Sequence, residues 1–122
     1  MKTIILLLAM VLAFSTTQSI QAQSDKYQRN IGIKKESIKV YGACEMDKNR
    51  IEKAALQTDG VKSAVWNANT QLLTISYSIF SKNAVDEVQK KIASVGNDTE
   101  KYVAADADYN ALPTCCHYRK QS

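Results

Sequence analysis

Between Ser37 and Ala105 the apolar residues change their spacing four times, and that alternation restricts the chain more than any other feature it has. Ser37-Ile38-Lys39-Val40-Tyr41 alternates polar and apolar, the mark of a strand with one wet face. Gly42 lets the backbone turn. Residues 48–58 then repeat at helical spacing, with Ile51, Ala54, Ala55 and Thr58 on one face and Asp47 placed to cap the first turn. Asp59-Gly60 stops this helix. Residues 61–67 and 71–78 read as strands, the second with Leu73, Ile75 and Tyr77 on one face. Asn67-Ala68-Asn69-Thr70 supplies the turn that makes them a hairpin. Residues 82–95 form a second helix, capped by Ser81, with Val85, Val88, Ile92 and Val95 as its buried stripe. Gly96-Asn97 ends it, and residues 101–105 read as a fourth strand.

The resulting order, β-α-β-β-α-β, is the split-βαβ, ferredoxin-like arrangement. It predicts an α+β fold in which two helices cover one face of a four-stranded antiparallel sheet. Ahead of it, Met1-Lys2, the apolar run 4–14 and a polar stretch ending in Ala22 have the three parts of a secretory signal peptide over residues 1–22. The run is too short to span a bilayer, which takes about 20 apolar residues, so no stable membrane span is expected after cleavage. Residues 23–36 are polar and read as a flexible leader, residues 37–106 as the domain, and residues 107–122 as a tail. Cleavage removes only Lys2 among the charged residues, so the formal charge falls from +4 to +3. Acids and bases are interleaved, a pattern that excludes a clustered nucleic-acid footprint. Localisation is therefore expected to be periplasmic or secreted. The sequon Asn97-Asp98-Thr99 is short enough to match by chance and is given no weight.

Chemistry concentrates on sulfur. Cys44 sits where the first strand runs into the first helix, beside the positive end of the helix, an environment that favours a thiolate. Glu45 and Asp47 nearby disfavour it, and a single half-buried cysteine in a turn is equally consistent with this position. The tail carries Pro113-Thr114-Cys115-Cys116-His117-Tyr118, with two adjacent thiols and the only histidine of the chain. Three cysteines in an exported protein leave at least one thiol without an intramolecular partner, and an oxidising compartment tends to consume such a thiol unless a metal or a partner protects it. No nucleophile–base pairing and no phosphate loop points to an enzyme.

The element order, together with Gly42-Ala43-Cys44-Glu45-Met46-Asp47, Ile51-Glu52-Lys53-Ala54 and Gly60-Val61, resembles the heavy-metal-associated domain family. The tail resembles the ending of a group of exported bacterial proteins with this domain. The resemblance implies a soft-metal carrier with a C-x-x-C loop holding Cu(I), Zn(II) or Hg(II). Cys44 matches the first cysteine of that loop, but Asp47 stands in place of the second, and Asn97 stands where some relatives have a loop histidine. A carboxylate is a hard donor, poor for Cu(I). Met46 is a soft donor that the family more often uses for packing.

Those residues imply an exported, non-enzymatic carrier or sequestering module for a soft metal. Cu(I) comes first, with Zn(II) or Hg(II) as alternatives, and the partner is a metal transporter or another cysteine-bearing metal protein. Candidate ligands are Cys44, Cys115, Cys116, His117 and Met46. In the family's topology the tail leaves the far end of a fourth strand, about 15–20 Å from Cys44. Nine residue steps from Asp106 to Cys115 span about 30 Å when extended, enough to come back. Three outcomes stay open: Cys115, Cys116 and His117 join Cys44 in one composite site, the tail binds metal alone or forms disulfides and Cys44 is a relic, or the tail is loose and its thiols only pair with one another or with Cys44. A thiol redox role is weaker for lack of a C-x-x-C. A metal-free domain that keeps the fold and has lost its binding loop is the alternative function.

Overall fold

The computed structural model describes residues 32–120. The expected signal peptide and the leader as far as residue 31 lie outside the described residues. Strands β1 (Ile33–Lys39), β2 (Val61–Asn67) and β3 (Leu72–Ser78) form one antiparallel sheet in the order β1-β3-β2. Helix α1 (Glu45–Leu56) follows β1, and α2 (Ala84–Ser94) follows β3. A short helix α3 (Asp106–Asn110) and one 3-10 turn (Thr114–Cys116) complete the described chain. Among the described residues no helix is long and apolar enough to cross a membrane.

One hydrophobic cluster joins both helices to a single sheet face. Ile38 and Val40 come from the first segment, Ala64 and Trp66 from β2, and Leu73, Ile75 and Tyr77 from β3. They meet Ile51, Ala54 and Ala55 of α1 and Ala84, Val88 and Ile92 of α2. Register explains the selection: Ile38 pairs with Leu73 and Leu73 with Trp66, so inward residues line up across all three strands. Trp66, the largest fully buried side chain, is fixed at its polar end by donating from Nε1 to the Val40 carbonyl at 2.9 Å.

Several expectations need correction. The first strand begins at Ile33, so residues 33–36 belong to the sheet and not to a leader; pairing with the whole of β3 extends it beyond its alternating apolar stretch. Helix α1 begins at Glu45, with Cys44 itself in the N-cap position and Asp47 inside the first turn. Helix α2 begins at Ala84 after Asn83, not after Ser81, and Val95 is exposed at its end. Gly42 is not one of the glycines with positive φ. It is needed for space: a Cβ there would lie 2.9 Å from Trp66 Cη2 and Cζ2 and 3.0 Å from Asp47 Cβ. Both neighbours are fully packed, so Gly42→Ala should cost about 1–3 kcal/mol, read as a lower urea midpoint of the apo protein.

The fourth strand is replaced by a stub. Val40 and Thr99 form an isolated antiparallel bridge, with Tyr41 N–H donating to the Asp98 carbonyl at 2.9 Å and Glu100 N–H to the Lys39 carbonyl at 3.0 Å. Pairing stops there because the chain turns: Thr99 N–H donates to the Tyr102 carbonyl, and Thr99 Oγ1 accepts from Tyr102 N–H at 3.0 Å. Lys101 and the Tyr102 hydroxyl both go to Asp86 on α2. Ala104 N–H donates to Asp98 Oδ1 at 2.8 Å. Residues 101–105 thus wrap around Asp98 instead of extending the sheet edge.

Candidate metal centre

That wrap decides where the tail goes. Helix α3 and the following turn pack beside Gly96, whose φ is +106° and where a Cβ would meet the Asp108 carbonyl oxygen at 2.8 Å and Leu112 Cδ2 at 2.9 Å. Only glycine allows so close an approach in that backbone conformation. Tyr109, Leu112 and Cys116 form a second small apolar cluster, against which Cys44 and Tyr118 pack. The Tyr118 hydroxyl donates to the Gly96 carbonyl at 3.0 Å and accepts from Asp98 N–H at 2.7 Å. Arg119 grips Asp98 with two parallel bonds, Nε to Oδ2 at 3.0 Å and Nη2 to Oδ1 at 2.8 Å. It also donates to the Ala104 carbonyl at 2.7 Å and lies over the Tyr109 ring. The tail is therefore docked, and it returns toward Cys44 instead of standing loose.

The docking brings three thiols together. Cys44, Cys115 and Cys116 are all free, and their sulfurs lie within 4.8 Å of one another. Cys44 Sγ is 3.0 Å from Cys116 Sγ and 3.8 Å from Cys115 Sγ, and the two tail sulfurs are 3.9 Å apart. A tetrahedral ion with metal–thiolate bonds of about 2.3 Å holds its sulfurs about 3.8 Å apart. Two edges of the triangle already have that span. The circumradius of a triangle with these edges is about 2.1 Å, so a modest opening of the short edge would seat a thiolate-bound ion among the three. Met46 Sδ lies 3.6 Å from Cys115 Sγ. His117 stands apart: its Nε2 is 3.0 Å from the Leu112 carbonyl oxygen, and its ring stacks on Tyr109.

Asp47 is directed away from a ligand role. Its carboxylate is fully buried and accepts from Ala43 N–H at 2.6 Å, from Arg50 Nη1 at 2.6 Å and from Asn97 Nδ2 at 3.0 Å. Asn97 also donates to the Tyr41 carbonyl, so the sequon asparagine is a buried brace. The same Arg50 reaches Cys116 Sγ with Nη2 at 3.7 Å. A cation and the N-terminal end of α1 thus flank the sulfurs. Burial opposes ionisation of Cys44, but the Cys116 thiol, the Asp47 N–H, the Cys115 thiol and the Met46 N–H outweigh it and hold its pKa below the ordinary thiol value. Burial, with the hydrogen bond to Cys44, pushes the Cys116 thiol up to about 12. The two thiols are therefore shifted in opposite directions, Cys44 down and Cys116 up. Sequence reasoning named every sulfur but missed Arg119, Tyr118 and Asp98, whose only signal was a tyrosine and an arginine in an otherwise polar terminus.

A small α+β domain whose first helix starts on a cysteine, with further soft donors packed against it, defines a thiol-bearing metal-site scaffold. Known proteins are similar to it. A solved structure of the CopZ metallochaperone matches with TM-score 0.50 and 31% identity, covering 54% of this chain and 98% of that one. A protein from Bacillus anthracis str. Ames has the same fold at 17% identity, with TM-score 0.50 over 56% of this chain and 96% of that one. Over 57 residues the chain is 44% identical to the copper-exporting P-type ATPase of Staphylococcus saprophyticus subsp. saprophyticus; the match takes in 47% of this chain and only 7% of the ATPase. No family model matches. On the likeness to the metallochaperone, nearly the whole of which is covered, the chain belongs to the heavy-metal-associated domain family.

Proposed function

We propose that the protein is an exported, non-enzymatic carrier or sequestering module that holds a soft metal ion, Cu(I) first and Zn(II) or Hg(II) as alternatives, between Cys44, Cys115 and Cys116. The observation that carries this is the convergence of three free thiols from two segments of sequence more than seventy residues apart. Thiolates select soft ions over magnesium or calcium. The likeness to a metallochaperone and to a stretch of a copper-exporting ATPase supports copper as the cargo and a copper transporter as a partner. Delivery would be ligand exchange: a partner's thiolate replaces one of the three sulfurs, and the ion moves across without a change of oxidation state. Residues 1–22, read as a signal peptide, support export.

Anaerobic titration of the reduced protein with Cu(I) against a chromophoric competitor tests the reading. One equivalent should bind, with release of thiol protons. Cys44→Ser and Cys116→Ser should each lower affinity by about 100-fold. If the fully reduced protein takes up neither Cu(I) nor Zn(II), the metal reading is lost and the metal-free interaction domain replaces it.

A further inference from the structure

The four soft donors around this centre are graded from outside to inside. Met46 is 48% exposed and Cys115 is exposed, Cys44 is half-buried, and Cys116 is fully buried. They are also contiguous: Met46 Sδ lies 3.6 Å from Cys115 Sγ, which is 3.8 Å from Cys44 Sγ and 3.9 Å from Cys116 Sγ. Met46 has no place in either apolar cluster. An exposed thioether in the first turn of α1, two residues beyond Cys44, is therefore not explained by packing.

Resting on the metal reading above, we propose that Met46 is a specificity-determining residue that admits Cu(I) and discriminates against Zn(II). A thioether is neutral and soft. It binds Cu(I) well and contributes little to Zn(II), which prefers thiolate, imidazole and carboxylate. It also adds a donor without adding negative charge to a centre that already holds three thiols. Entry takes place in two exchanges. Cu(I), released by a weak donor complex, is first bound by Met46 Sδ and the Cys115 thiolate at the surface. Bonds to Cys44 and Cys116 then form, while Cys115 stays attached throughout and Met46 Sδ remains as the outermost donor. The three thiol protons go to buffer, and the copper remains Cu(I). Release to a partner runs the same path outward, with Cys115 and Met46 the last sulfurs to let go.

The test compares the wild type with Met46→Leu, an apolar replacement of similar volume and helix preference. Cu(I) uptake from its bicinchoninate complex, followed by stopped flow, should slow by about 10-fold in the variant, while the rate of Zn(II) uptake from a chromophoric zinc complex stays within a factor of two. An unchanged urea midpoint verifies that the fold is intact. A second readout needs no variant. The chain without residues 1–22 contains the whole compact unit 32–122 and keeps Met46 as its only methionine. Its selenomethionyl form, limited to less than one equivalent of Cu(I), should show selenium–copper scattering at the selenium edge, and none with Zn(II). Equal effects of Met46→Leu on both metals, or normal Cu(I) uptake with no selenium–copper scattering, would overturn the role of Met46 and leave the three-thiol site standing. A wild type that binds neither metal would overturn both.

Discussion

Replacing Arg119 with alanine should loosen the tail and weaken soft-metal binding by up to about 100-fold, although Arg119 touches none of the sulfurs. The guanidinium makes a bidentate pair with Asp98, bonds the Ala104 carbonyl and Asp106 Oδ1, and lies 4.3 Å over the Tyr109 ring. Among the described residues the rest of the tail is held by Tyr118, a small apolar cluster and the contact of Arg50 with Cys116 Sγ. Removing the cation leaves a half-buried carboxylate without its partner, a loss of about 3 kcal/mol. At about 1.4 kcal/mol per decade, the docking equilibrium constant falls by about 100-fold, which sets the upper limit on the affinity lost by an ion that requires the docked state. Arg119→Lys should recover part of the loss, because it restores charge without the fork. Protease sensitivity of the tail in the apo protein checks the cause independently of metal.

The same clasp has a pH signature. Burial works to raise the Asp98 pKa, but the Arg119 bonds, the Ala104 N–H and the Arg119 charge outweigh it and hold it below the usual carboxylate value. A depressed folded-state pKa gives stability that is complete above the unfolded value of about 3.9 and is lost as pH falls through the folded one. The apo tail should therefore stay docked at pH 5 and release only in stronger acid. In Arg119→Ala that acid step should be absent. A wild-type tail freed already at pH 5 would contradict the clasp.

Asp47→Cys should destabilise the domain by about 3–5 kcal/mol, even though it rebuilds the C-x-x-C spacing of the family. Asp47 is the acceptor for Ala43 N–H, Arg50 and Asn97 at a fully buried position. A thiol accepts hydrogen bonds weakly and leaves the Arg50 charge uncompensated. For a domain of this size that loss is a large share of the total stability. It should appear as a marked drop in the urea midpoint of the reduced apo variant. An unchanged midpoint would show that the carboxylate is dispensable and that the site merely lost its second cysteine. The structure uses the carboxylate as a brace that orients Arg50 toward Cys116, and the further thiols beside Cys44 come from the tail.

What was legible in the chain was local. Strand β2 over residues 61–67 and the hairpin with β3 followed from alternating apolar residues around an asparagine-rich turn, and the core residues Ile51, Ala54, Ala55, Leu73, Ile75, Val88 and Ile92 followed from periodicity. Helix starts were misplaced by two or three residues, because Asp47 and Ser81 have the chemistry of caps but are used otherwise. Residues 101–105 had the composition of a strand. The turn at Thr99 and the pull of Asp86 on Lys101 and Tyr102 decided against it. Trp66 drew no attention as a sequence letter, yet its ring closes the core beneath the Cys44 loop and is the reason position 42 must be glycine.

By itself the sequence determined the sheet hairpin, the helix faces, a thiol at a helix start and a pair of thiols near the end, since these depend on interactions between residues a few positions apart. Whether those thiols formed one centre was decided by tertiary structure alone. It depended on a bidentate arginine–carboxylate pair across twenty-one positions and a glycine tight against the returning chain, contacts whose partners no periodicity relates. The physical reason is that backbone spacing is written into the order of residues, whereas the closing of a loop is set by the few long-range contacts strong enough to offset its entropy.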